Sequence, residues 1–466
     1  MTRIALAVAL VALLLTACTR ENKEFCCTSA ADCASVGVSD DHRDCNEGLA
    51  CVDHSCSPAS CATEGCSAAA PTCDVTIDVC AGCTSSTECT RFPTTSVCEP
   101  TSGSCVACLG PSDCTAASPV CDGNACRGCR LDSECSSGAC ADDGSCVPES
   151  EIVYLAPQGT DVAPCSKPQP CRGASFGTQQ TTNTRDHIVF ASGTYTFGNS
   201  VWTIGSGLTS ATSLTIHGGG ATLVTNNDDG FVAITMPTKM RDLEIINTSF
   251  CALGVGLTTA TVENVKILGG SCGLYVTGSL TLRHSSVRTS SYCGIQLGGG
   301  LLAIDGVTVS GGLHGVCTSG TPAMIDFTNL LVFGTSGAGL DLLDAHGTIT
   351  FSTVTATGLA GTGTEVTAIR CPPFGSIAVT SSIAWTPNLF RPVVENCVVS
   401  NSIVGPTQVL GGTNQDPLFT NPDGNNFHLN GGSPAVDMAN GGPARDFEGE
   451  ARPKGARFDW GADEAQ

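Results

Sequence analysis

The stretch "SCGLYVTGSLTLRHSSVRTSSYCGIQL", residues 271–297, contains the same short motif twice: a cysteine, a glycine and an apolar residue. The two copies begin at Cys272 and Cys293, which are 21 residues apart. Apolar residues continue in this phase on both sides of the stretch, at Leu253, Leu274, Ile295, Val316 and Leu340. A repeat at a fixed interval of this length has to be explained before any other structural assignment.

A second set of apolar residues repeats at nearly the same interval. Its steps are mostly 20 to 24 residues, with one longer step before Trp385. Its members are Leu243, Val265, Leu282, Ile304, Phe327, Phe351, Val379 and Val399. Two sets of apolar residues that share one period indicate several short strands in each repeat.

Short alternating strands that return about every 22 residues, separated by Gly, Asn and Ser, are typical of a solenoid. They predict an all-β fold, a right-handed parallel β-helix over residues 150–415, with rungs about 4.8 Å apart. A leucine-rich horseshoe would need Leu and Asn at fixed positions that this chain lacks, and propeller blades are longer repeats.

Residues in the same phase of a β-helix stack on one another. We therefore expect Cys251, Cys272 and Cys293 to form a column, with His314 in the fourth place. Stacked cysteines fall within the Cα separation that a disulfide tolerates. The candidate bridges are Cys251–Cys272, Cys371–Cys397 and, less well in phase, Cys293–Cys317. The alternative is a column of buried reduced thiols; in both cases the cysteines are structural. We expect the glycine beside each to lie in a tight turn with positive φ.

The cysteines are concentrated in the N-terminal third of the chain. Of the 31 cysteines, 22 fall between Cys26 and Cys146, which delimits a cysteine-rich region over residues 26–148. Three copies of a four-cysteine pattern begin at Cys83, Cys108 and Cys129. An acidic residue precedes the second cysteine of each copy, at Glu88, Asp113 and Glu134. Four cysteines in each copy permit two bridges.

Zinc is a competing interpretation of these cysteines. Pairs with metal-ligand spacing occur at Cys80 and Cys83, Cys105 and Cys108, and Cys126 and Cys129. An exported chain enters an oxidising compartment, and modules this small cannot bury enough apolar surface to fold unaided. We therefore expect disulfides. The region resembles the small disulfide modules of surface proteins from predatory and soil bacteria, and would serve as a rigid spacer or as a ligand-binding module.

The N-terminus has the features of an export signal over residues 1–17. Arg3 is followed by a twelve-residue apolar run over 4–15, too short to span a bilayer stably. The sequence Leu-Thr-Ala-Cys that ends at Cys18 resembles the bacterial lipobox, which implies lipidation of Cys18 and a tether over 18–25. Thr19 rather than Asp follows, which in that family implies the outer membrane. The alternative is an ordinary secretory peptide with an incidental cysteine.

The start of the predicted β-helix resembles the entry segment of pectate-lyase-like proteins. The matching residues are Gly159, Asp161, Asp186, Ile188, Gly193 and Tyr195. The helix-capping sequence usual in that family is replaced by Pro-Cys-Arg-Gly at 170–173, so a standard N-terminal capping helix is not expected. A Cys165–Cys171 bridge would close this segment instead.

The C-terminal residues 416–466 resemble the closing segment of bacterial surface β-helix proteins of the choice-of-anchor type. The matching residues are Asp416, Pro417, Phe419, Leu429, Ser433, Pro434, Asp437, Asp446, Arg452, Pro453, Asp459, Gly461 and Glu464. The resemblance implies the fold and says little about chemistry. Calcium is a secondary expectation, at "NNDDG" (226–230) or among Asp437, Asp446 and Asp459, which we otherwise expect to hydrogen-bond loop backbone.

Relatives of this fold include polysaccharide lyases and hydrolases, so we searched for catalytic residues. The candidates are Arg283, Asp305 and His314, with Arg283 and Asp305 stacked on neighbouring rungs. No carboxylate cluster of the kind those enzymes use for calcium or for acid catalysis accompanies them. The pair is therefore interpreted first as a surface ion pair. Tyr275 is expected to face outward as a thin aromatic platform.

Charge and composition narrow the partners. The formal net charge is −22 with only five lysines, so nucleic acid and anionic lipid headgroups are poor candidates. The leading hypothesis is a lipid-anchored surface protein whose β-helix binds a glycan or another surface protein without catalysis and without a cofactor. The alternatives are a polysaccharide lyase or glycoside hydrolase, and a purely structural envelope protein.

Overall fold

The computed structural model describes residues 49–465, except 53–54, 59–60, 62–64, 78, 199, 206, 226–230, 357–365, 375, 387–391 and 407–410. The predicted signal peptide, Cys18, the tether, the cysteines from Cys26 to Cys45 and the "NNDDG" stretch lie outside the described residues. The chain forms two compact units, Met1–Arg130 with Ala141–Cys146, and Leu131–Cys140 with Val147–Gln466. The second unit thus takes in twelve residues, 131–140 and 147–148, that the sequence assigned to the cysteine-rich region.

The cysteine-rich region consists of short antiparallel hairpins and 3₁₀ turns. In each hairpin two cysteines face one another across the strands, for example Cys98 and Cys105. The hairpins are Leu49–Val52 with Ser55–Pro58, Thr72–Asp74 with Val79–Ala81, Val97–Glu99 with Ser104–Val106, and Val120–Asp122 with Ala125–Arg127. The 3₁₀ turns are Ser86–Cys89, Pro111–Asp113 and Asp132–Glu134.

Three modules are each closed by two crossed disulfides, which join the first cysteine to the third and the second to the fourth. The bridges are Cys61–Cys73, Cys66–Cys80, Cys83–Cys98, Cys89–Cys105, Cys108–Cys121 and Cys114–Cys126. The copy that begins at Cys61 was missed in the sequence because its spacing differs from that of the other three. The predicted disulfides are confirmed, and the zinc interpretation fails because these sulfurs are bonded to one another.

The acidic residue before each second cysteine has a local role. The Glu88 carboxylate accepts the backbone N–H groups of Thr84 and Ser85, and Asp113 accepts those of Leu109 and Gly110. These side chains satisfy amide groups that the first turn of a helix leaves unpaired. The hydrogen bonds hold the pKa of Glu88 below its usual value.

The remainder of the chain forms a parallel β-helix, as the sequence predicts. One face, here called sheet 1, contains nine parallel strands in consecutive register. They are Trp202–Ile204, Val232–Ile234, Leu253–Val255, Cys272–Val276, Cys293–Leu297, His314–Thr318, Leu340–Asp341, Ile369–Arg370 and Val394–Glu395. Leu253, Leu274, Ile295, Val316 and Leu340 stand directly above one another and are fully buried.

The other two faces are joined by strands that bend at a corner. Several strands continue through this corner without a break, for example Gly300–Gly311. In chain order the strands are Ile152–Leu155, His187–Phe190, Gly193–Gly198, Leu214–Thr225, Thr238–Asn247, Thr259–Gly269, Ser279–Arg283, Ser286–Thr289, Gly300–Gly311, Ala323–Thr335, Ala345–Thr350, Thr353–Ala356, Ile377–Thr380, Ile383–Trp385, Val398–Ser400, Ser402–Gly405 and Gly412–Thr413.

The corner requires a left-handed backbone, and this corrects the predicted alignment of Phe351. Asn264, Asn329 and Asn401 occupy the corner with φ between 47° and 52°, a conformation that asparagine tolerates well. Phe351 has φ 47° at the same place. The residue paired with Phe327 is therefore Ile349, two positions earlier. Phe351 faces outward, where its ring packs against Phe458 and the Arg452 guanidinium.

The predicted place of Trp385 in the repeat was also wrong, by one position. The register pairs Val354 with Ala384, and Ala384 with Val404, along the buried column. Trp385 is the next residue and points outward, half-buried against the closing segment. Sequence spacing could not show this, because the repeat before it contains the long stretch 357–365.

The glycines after the column cysteines are present for a reason other than the one predicted. None of Gly273, Gly294, Gly315 and Gly339 has φ in the left-handed range. A Cβ on Gly294 would lie 2.4 Å from Val309 Cγ1 and 2.7 Å from the Gly315 carbonyl oxygen. The other three glycines meet a valine methyl at 2.4 to 2.5 Å in the same way. This column of glycines therefore makes room for a column of valines from a neighbouring face.

A short α-helix, Ala174–Gln179, packs at the start of the β-helix. The sequence analysis did not predict a standard capping helix there. Gly177 lies against Leu155, and Trp202 Nε1 donates to the Thr178 hydroxyl at 3.0 Å. The Asp161 carboxylate accepts the N–H groups of Arg172 and Gly173 just before the helix, so a side chain does the work of the missing capping sequence.

The stacked cysteines are joined in pairs. The bridges are Cys165–Cys171, Cys251–Cys272, Cys293–Cys317 and Cys371–Cys397, with Cα separations of 4.4 to 6.1 Å. Register places His314 next to Cys293 in the column, so Cys293 bonds to Cys317 three residues further on. Stacking predicts Cys251–Cys272 and Cys371–Cys397, whereas Cys293–Cys317 was the weaker, out-of-phase candidate and Cys165–Cys171 was expected in the entry segment. All four pairs are oxidised rather than reduced.

The closing segment, residues 416–465, covers one outer face of the last rungs. It contains the hairpin Phe419–Asn421 with Asn426–Leu429 and the 3₁₀ turn Pro422–Gly424. Its apolar side chains pack on an outward column of the β-helix formed by Leu331, Ile383 and Ile403. Arg452 is fully buried and donates from Nε to Glu464 at 2.7 Å. Among the described residues, no helix has the length and hydropathy needed to cross a bilayer.

Candidate functional site

The outward side of sheet 1 carries one continuous column of chemically varied side chains. Six successive rungs contribute Tyr275, Gln296, Cys317, Asp341, Arg370 and Glu395, each directly above the last. We call this set the outer column. At about 4.8 Å per rung it extends over about 24 Å. The column could therefore contact several successive units of an extended ligand.

The first end of the outer column is aromatic. Tyr275 is 38% exposed, whereas Leu274 and Val276 on either side of it are buried, as the strand alternation predicts. A Cβ on Gly298 would lie 2.6 Å from the Tyr275 hydroxyl, so the ring leans along the surface onto the glycine. Tyr292, 45% exposed, flanks the column and meets the His314 ring edge-on. Exposed aromatic faces of this kind provide stacking surfaces for sugar rings.

The other end of the outer column is charged. Arg370 stands between two carboxylates, with Nη1 3.5 Å from Asp341 Oδ1 and Nε 3.3 Å from Glu395 Oε2. The Thr367 hydroxyl also donates to Glu395, at 3.0 Å. The three charged side chains are 18 to 32% exposed, so they are partly shielded from water but remain accessible. The loop after Arg370 carries Phe374, which is 96% exposed.

His314 lies beside this charged group. Its Nδ1 is 3.3 Å from the Ala338 carbonyl oxygen, which can only accept, so Nδ1 carries the proton in the neutral ring. Its Nε2 faces Asp341 Oδ2 at 3.7 Å. Burial lowers the pKa of His314, and the nearby Asp341 charge opposes this without restoring the usual value. The neutral ring therefore presents an unprotonated nitrogen to the site.

Asp341 has unused hydrogen-bonding capacity. Its Oδ1 is buried and has no hydrogen-bond partner, because Arg370 is within ion-pair range but not within hydrogen-bond geometry. A buried carboxylate oxygen without a donor is costly and rare in folded proteins.

The structure separates the three catalytic candidates named from the sequence. Arg283 and Asp305 are register neighbours on another face, whereas His314 belongs to sheet 1. Asp305 accepts a hydrogen bond from Asn329 Nδ2 at 2.9 Å, and within the described part of the chain it forms no ion pair with Arg283. Asn329 Nδ2 also donates to the Arg445 carbonyl in the closing segment. Asp305 therefore has a structural partner, and the expected surface ion pair is absent.

A second polar cluster lies in the first rungs. His217 is buried, with Nδ1 2.8 Å from Asp132 Oδ1 and Nε2 2.9 Å from His187 Nδ1. Arg241 Nη2 donates to the same carboxylate at 2.6 Å. Burial raises the pKa of Asp132, but the hydrogen bonds from His217 and Arg241 outweigh it and bring the pKa to about 2. The cluster fixes Leu131–Cys140 within its compact unit, and its acceptors are filled.

The acidic residues of the closing segment named from the sequence bind loop backbone, as expected. Asp437 accepts the Arg457 N–H, Asp459 accepts those of Asp437 and Ala465, and Asp446 accepts those of Glu448 and Glu450. A shallow cavity of about 290 Å³ also lies on the early rungs, lined by Thr215, Lys239 and Thr261 among others. Its lining combines hydroxyl side chains with apolar ones, and Lys239 is the titratable side chain among the lining residues.

Sequence reasoning found Tyr275 and His314 but missed Asp341, Arg370 and Glu395. These residues are 29 and 25 positions apart, outside the 20 to 24 residue period, because long connections separate the rungs that carry them. The signal that could have found them is the apolar residue before each, Leu340, Ile369 and Val394, which continues the buried column.

Comparisons with known proteins are sparse. Residues 53–152 match a family model described as "Family of unknown function (DUF8331)". No curated protein matches the chain. A solved structure, "Crystal structure of pectate lyase Pel9A", is similar at a TM-score of 0.44 and 14% identity, covering 68% of this chain and 96% of that one. Nothing about the chemistry of this chain follows from a similarity at that level.

Proposed function

We propose that the outer column of sheet 1 binds a polysaccharide segment, laid along the axis of the β-helix. The observation that carries the proposal is the six-rung register of Tyr275, Gln296, Asp341, Arg370 and Glu395 around the bridged Cys317. An aromatic face, an amide and partly buried charges together match the mixture of apolar ring faces and hydroxyl groups on a sugar chain.

The charges favour a neutral glycan over a polyuronate. Arg370 is flanked by Asp341 and Glu395, so the charged end carries one positive and two negative groups. The chain as a whole has a formal charge of −22. A polyanion would be repelled both locally and by this net charge.

We place this binding surface at the outer membrane. The apolar run over 4–15 and the lipobox-like sequence ending at Cys18 support export and lipidation, and two or more acyl chains suffice for stable anchoring. The cysteine-rich modules would then form a protease-resistant spacer between the anchor and the β-helix.

Glycan binding is tested with the full chain and immobilised neutral polysaccharides and polyuronates. We expect retention on one or more neutral glycans. Tyr275→Ala and Arg370→Ala should each weaken binding roughly tenfold, a loss of about 1.4 kcal/mol. Arg283→Ala, an exposed arginine on another face, is the matched control and should bind as the wild type does. Unchanged affinity in both column variants would refute the proposal, as would failure of the wild type to bind any glycan.

A second candidate is glycoside hydrolysis at the same place. Asp341 and Glu395 lie two rungs, about 10 Å, apart along the axis. Both side chains reach Arg370, at 3.5 Å from Nη1 and 3.3 Å from Nε, so their carboxyl groups are closer together than the rungs are. Inverting glycosidases hold their carboxyl groups about 6.5 to 9.5 Å apart. Reducing ends released by the wild type but not by Asp341→Asn would favour hydrolysis, unsaturated ends would favour a lyase, and retention without product favours the binding protein.

A further inference from the structure

The closing segment brings an imidazole and three carboxylates together from separate stretches of chain. His428 lies in the strand Asn426–Leu429, Asp446 and Glu448 lie in one loop, and Asp463 lies close to the last described residue. One ligand atom each from His428, Glu448 and Asp463 can be chosen so that all lie within 4.8 Å of one another. None of these residues belongs to sheet 1 or to the outer column.

The imidazole is held between two carboxylates. His428 Nδ1 is 2.9 Å from Asp463 Oδ1, and Nε2 is 3.4 Å from Glu448 Oε2. Asp463 is fixed in turn, because its Oδ2 accepts the Leu429 N–H at 2.7 Å. The three side chains differ in exposure, with Asp463 6%, His428 36% and Glu448 45% exposed. The group therefore has a rigid inner side and an outer side open to solvent.

Asp446 adds a buried acceptor that nothing satisfies. Its Oδ1 accepts the N–H groups of Glu448 and Glu450, at 3.0 and 2.8 Å. Its Oδ2 is buried and has no hydrogen-bond partner among the residues that the structure describes, in a residue that is only 1% exposed. Burial raises the pKa of Asp446, and the nearby negative charge of Asp463 raises it further. Asp446 thus faces the same charges as the other three residues and lacks a donor or cation for one oxygen.

The charge of the group is not balanced by basic side chains. Among the described residues, no lysine or arginine forms an ion pair with Asp446, Glu448 or Asp463. The nearby Arg445 donates to the Gly449 carbonyl, Lys454 pairs with Glu450, and Arg452 Nε pairs with Glu464. Two carboxylates thus flank one imidazole, and the charge of a third, Asp446, also acts on it, an excess of negative charge that favours a divalent cation.

We propose that His428, Glu448 and Asp463, beside the buried carboxylate of Asp446, form a binding site for a divalent first-row transition-metal ion of the Zn²⁺ or Mn²⁺ class. An imidazole nitrogen with carboxylate oxygens suits these ions, whereas Ca²⁺ and Mg²⁺ prefer ligand sets made of oxygen alone. Ligand bonds of about 2.1 Å would draw the three ligand atoms slightly closer than they lie here. The bound ion would tie the hairpin, the loop and the last residues of the chain together.

Metal content of the full chain tests the site directly. The protein is stripped with EDTA, dialysed, exposed to Zn²⁺ or Mn²⁺ and freed of excess metal by gel filtration, and the bound ion is measured by mass spectrometry. Ca²⁺ and Mg²⁺ are run in parallel. We expect the wild type to retain one equivalent of Zn²⁺ or Mn²⁺. His428→Gln and Glu448→Gln should lose this ion, because their affinity for it should be at least tenfold weaker. His346→Gln, which removes an exposed histidine elsewhere, should retain it.

Thermal unfolding separates loss of the site from loss of the fold. In EDTA the wild type and the two ligand variants should unfold at closely similar temperatures, because both side chains are at least one-third exposed. Added Zn²⁺ or Mn²⁺ should raise the Tm of the wild type and of His346→Gln only. The proposal is overturned if the wild type retains no metal, or if His428→Gln retains as much as the wild type.

Discussion

The glycine column makes a quantitative prediction about the packing of the β-helix, centred on Gly294→Ala. The added Cβ would lie 2.4 Å from Val309 Cγ1 and 2.7 Å from the Gly315 carbonyl oxygen. Val309 is fully buried, and its own neighbours in the valine column, Val287 and Val332, lie directly below and above it. The methyl group therefore has no empty volume to enter.

The expected loss of stability follows from overpacking, and a second substitution, at Val309, measures how much of it comes from the contact with that residue. Extra carbon in a well-packed core costs about 1 to 3 kcal/mol, so Gly294→Ala should lower the free energy of unfolding by about 2 kcal/mol. Val309→Ala alone removes two methylene equivalents and leaves a cavity, at a cost of about 2 kcal/mol. In the double variant the new methyl enters that cavity. We expect a coupling of about 1 kcal/mol rather than full rescue, because the contact with the Gly315 carbonyl remains.

The assay is urea denaturation followed by tryptophan fluorescence, since Trp202 is buried in sheet 1 of the same unit. Midpoints are compared at unchanged slope. Gly256→Ala is the matched control, because its Cβ would meet nothing closer than 3.4 Å, and it should cost below about 1 kcal/mol. Equal effects of Gly294→Ala and Gly256→Ala would refute the packing explanation, and strict additivity in the double variant would show that Val309 is not the limiting neighbour.

Two further predictions concern buried charge. The pKa of Asp132 falls from 3.8 to about 2 on folding, so its partners stabilise the protein by about 2 kcal/mol above pH 4, and this stabilisation is lost as the pH falls towards 2. In urea denaturation, the difference in free energy of unfolding between the wild type and Asp132→Asn should become smaller from pH 5 to pH 3. A difference that does not change with pH would contradict the assignment. Arg452→Met should cost about 3 to 5 kcal/mol of stability because it leaves Glu464 buried without its cation, and the double variant Arg452→Met with Glu464→Gln should recover part of this loss. Limited proteolysis of the closing segment is measured for both variants. A digestion pattern identical to that of the wild type would count against a structural role for the pair.

The sequence predicts the β-helix well because its inward columns repeat. Leu253, Leu274, Ile295 and Val316 each have to fill the same volume on successive rungs, so apolar character recurs at a nearly constant interval. The stacked cysteines are predictable for the same reason. Cysteine spacing predicts the modules that begin at Cys83, Cys108 and Cys129 but not the one that begins at Cys61, whose spacing differs. Disulfides replace the core in these modules, so no apolar pattern marks them.

The candidate site is harder to predict because outward residues need not repeat. Asp341, Arg370 and Glu395 are neighbours only through register, and connections of different length separate them in the chain. Phe351 shows the same limit at the corner, where a strained φ of 47° is compensated by outward packing that no local pattern records. Residue spacing thus predicts the inward positions, which repeat, but not the outward residues, which differ from rung to rung.

The distribution of apolar residues outside the core points to sheet 1 as the surface left for a ligand. On the third face, the outward residues Leu331, Ile383 and Ile403 are apolar and lie beneath the closing segment. Their counterparts on earlier rungs, Lys266 and Ser286, are polar and exposed. Where the closing segment covers the β-helix, this outward column is mostly apolar, and Thr353, between Leu331 and Ile383, accepts the Ala462 N–H. The outer column of sheet 1 instead has a tyrosine, an amide and three charges. This mixed composition is expected of a surface that is exposed to water and still offers specific contacts to a ligand. We therefore expect Tyr275→Ala and Arg370→Ala to lose glycan binding while their stability is retained.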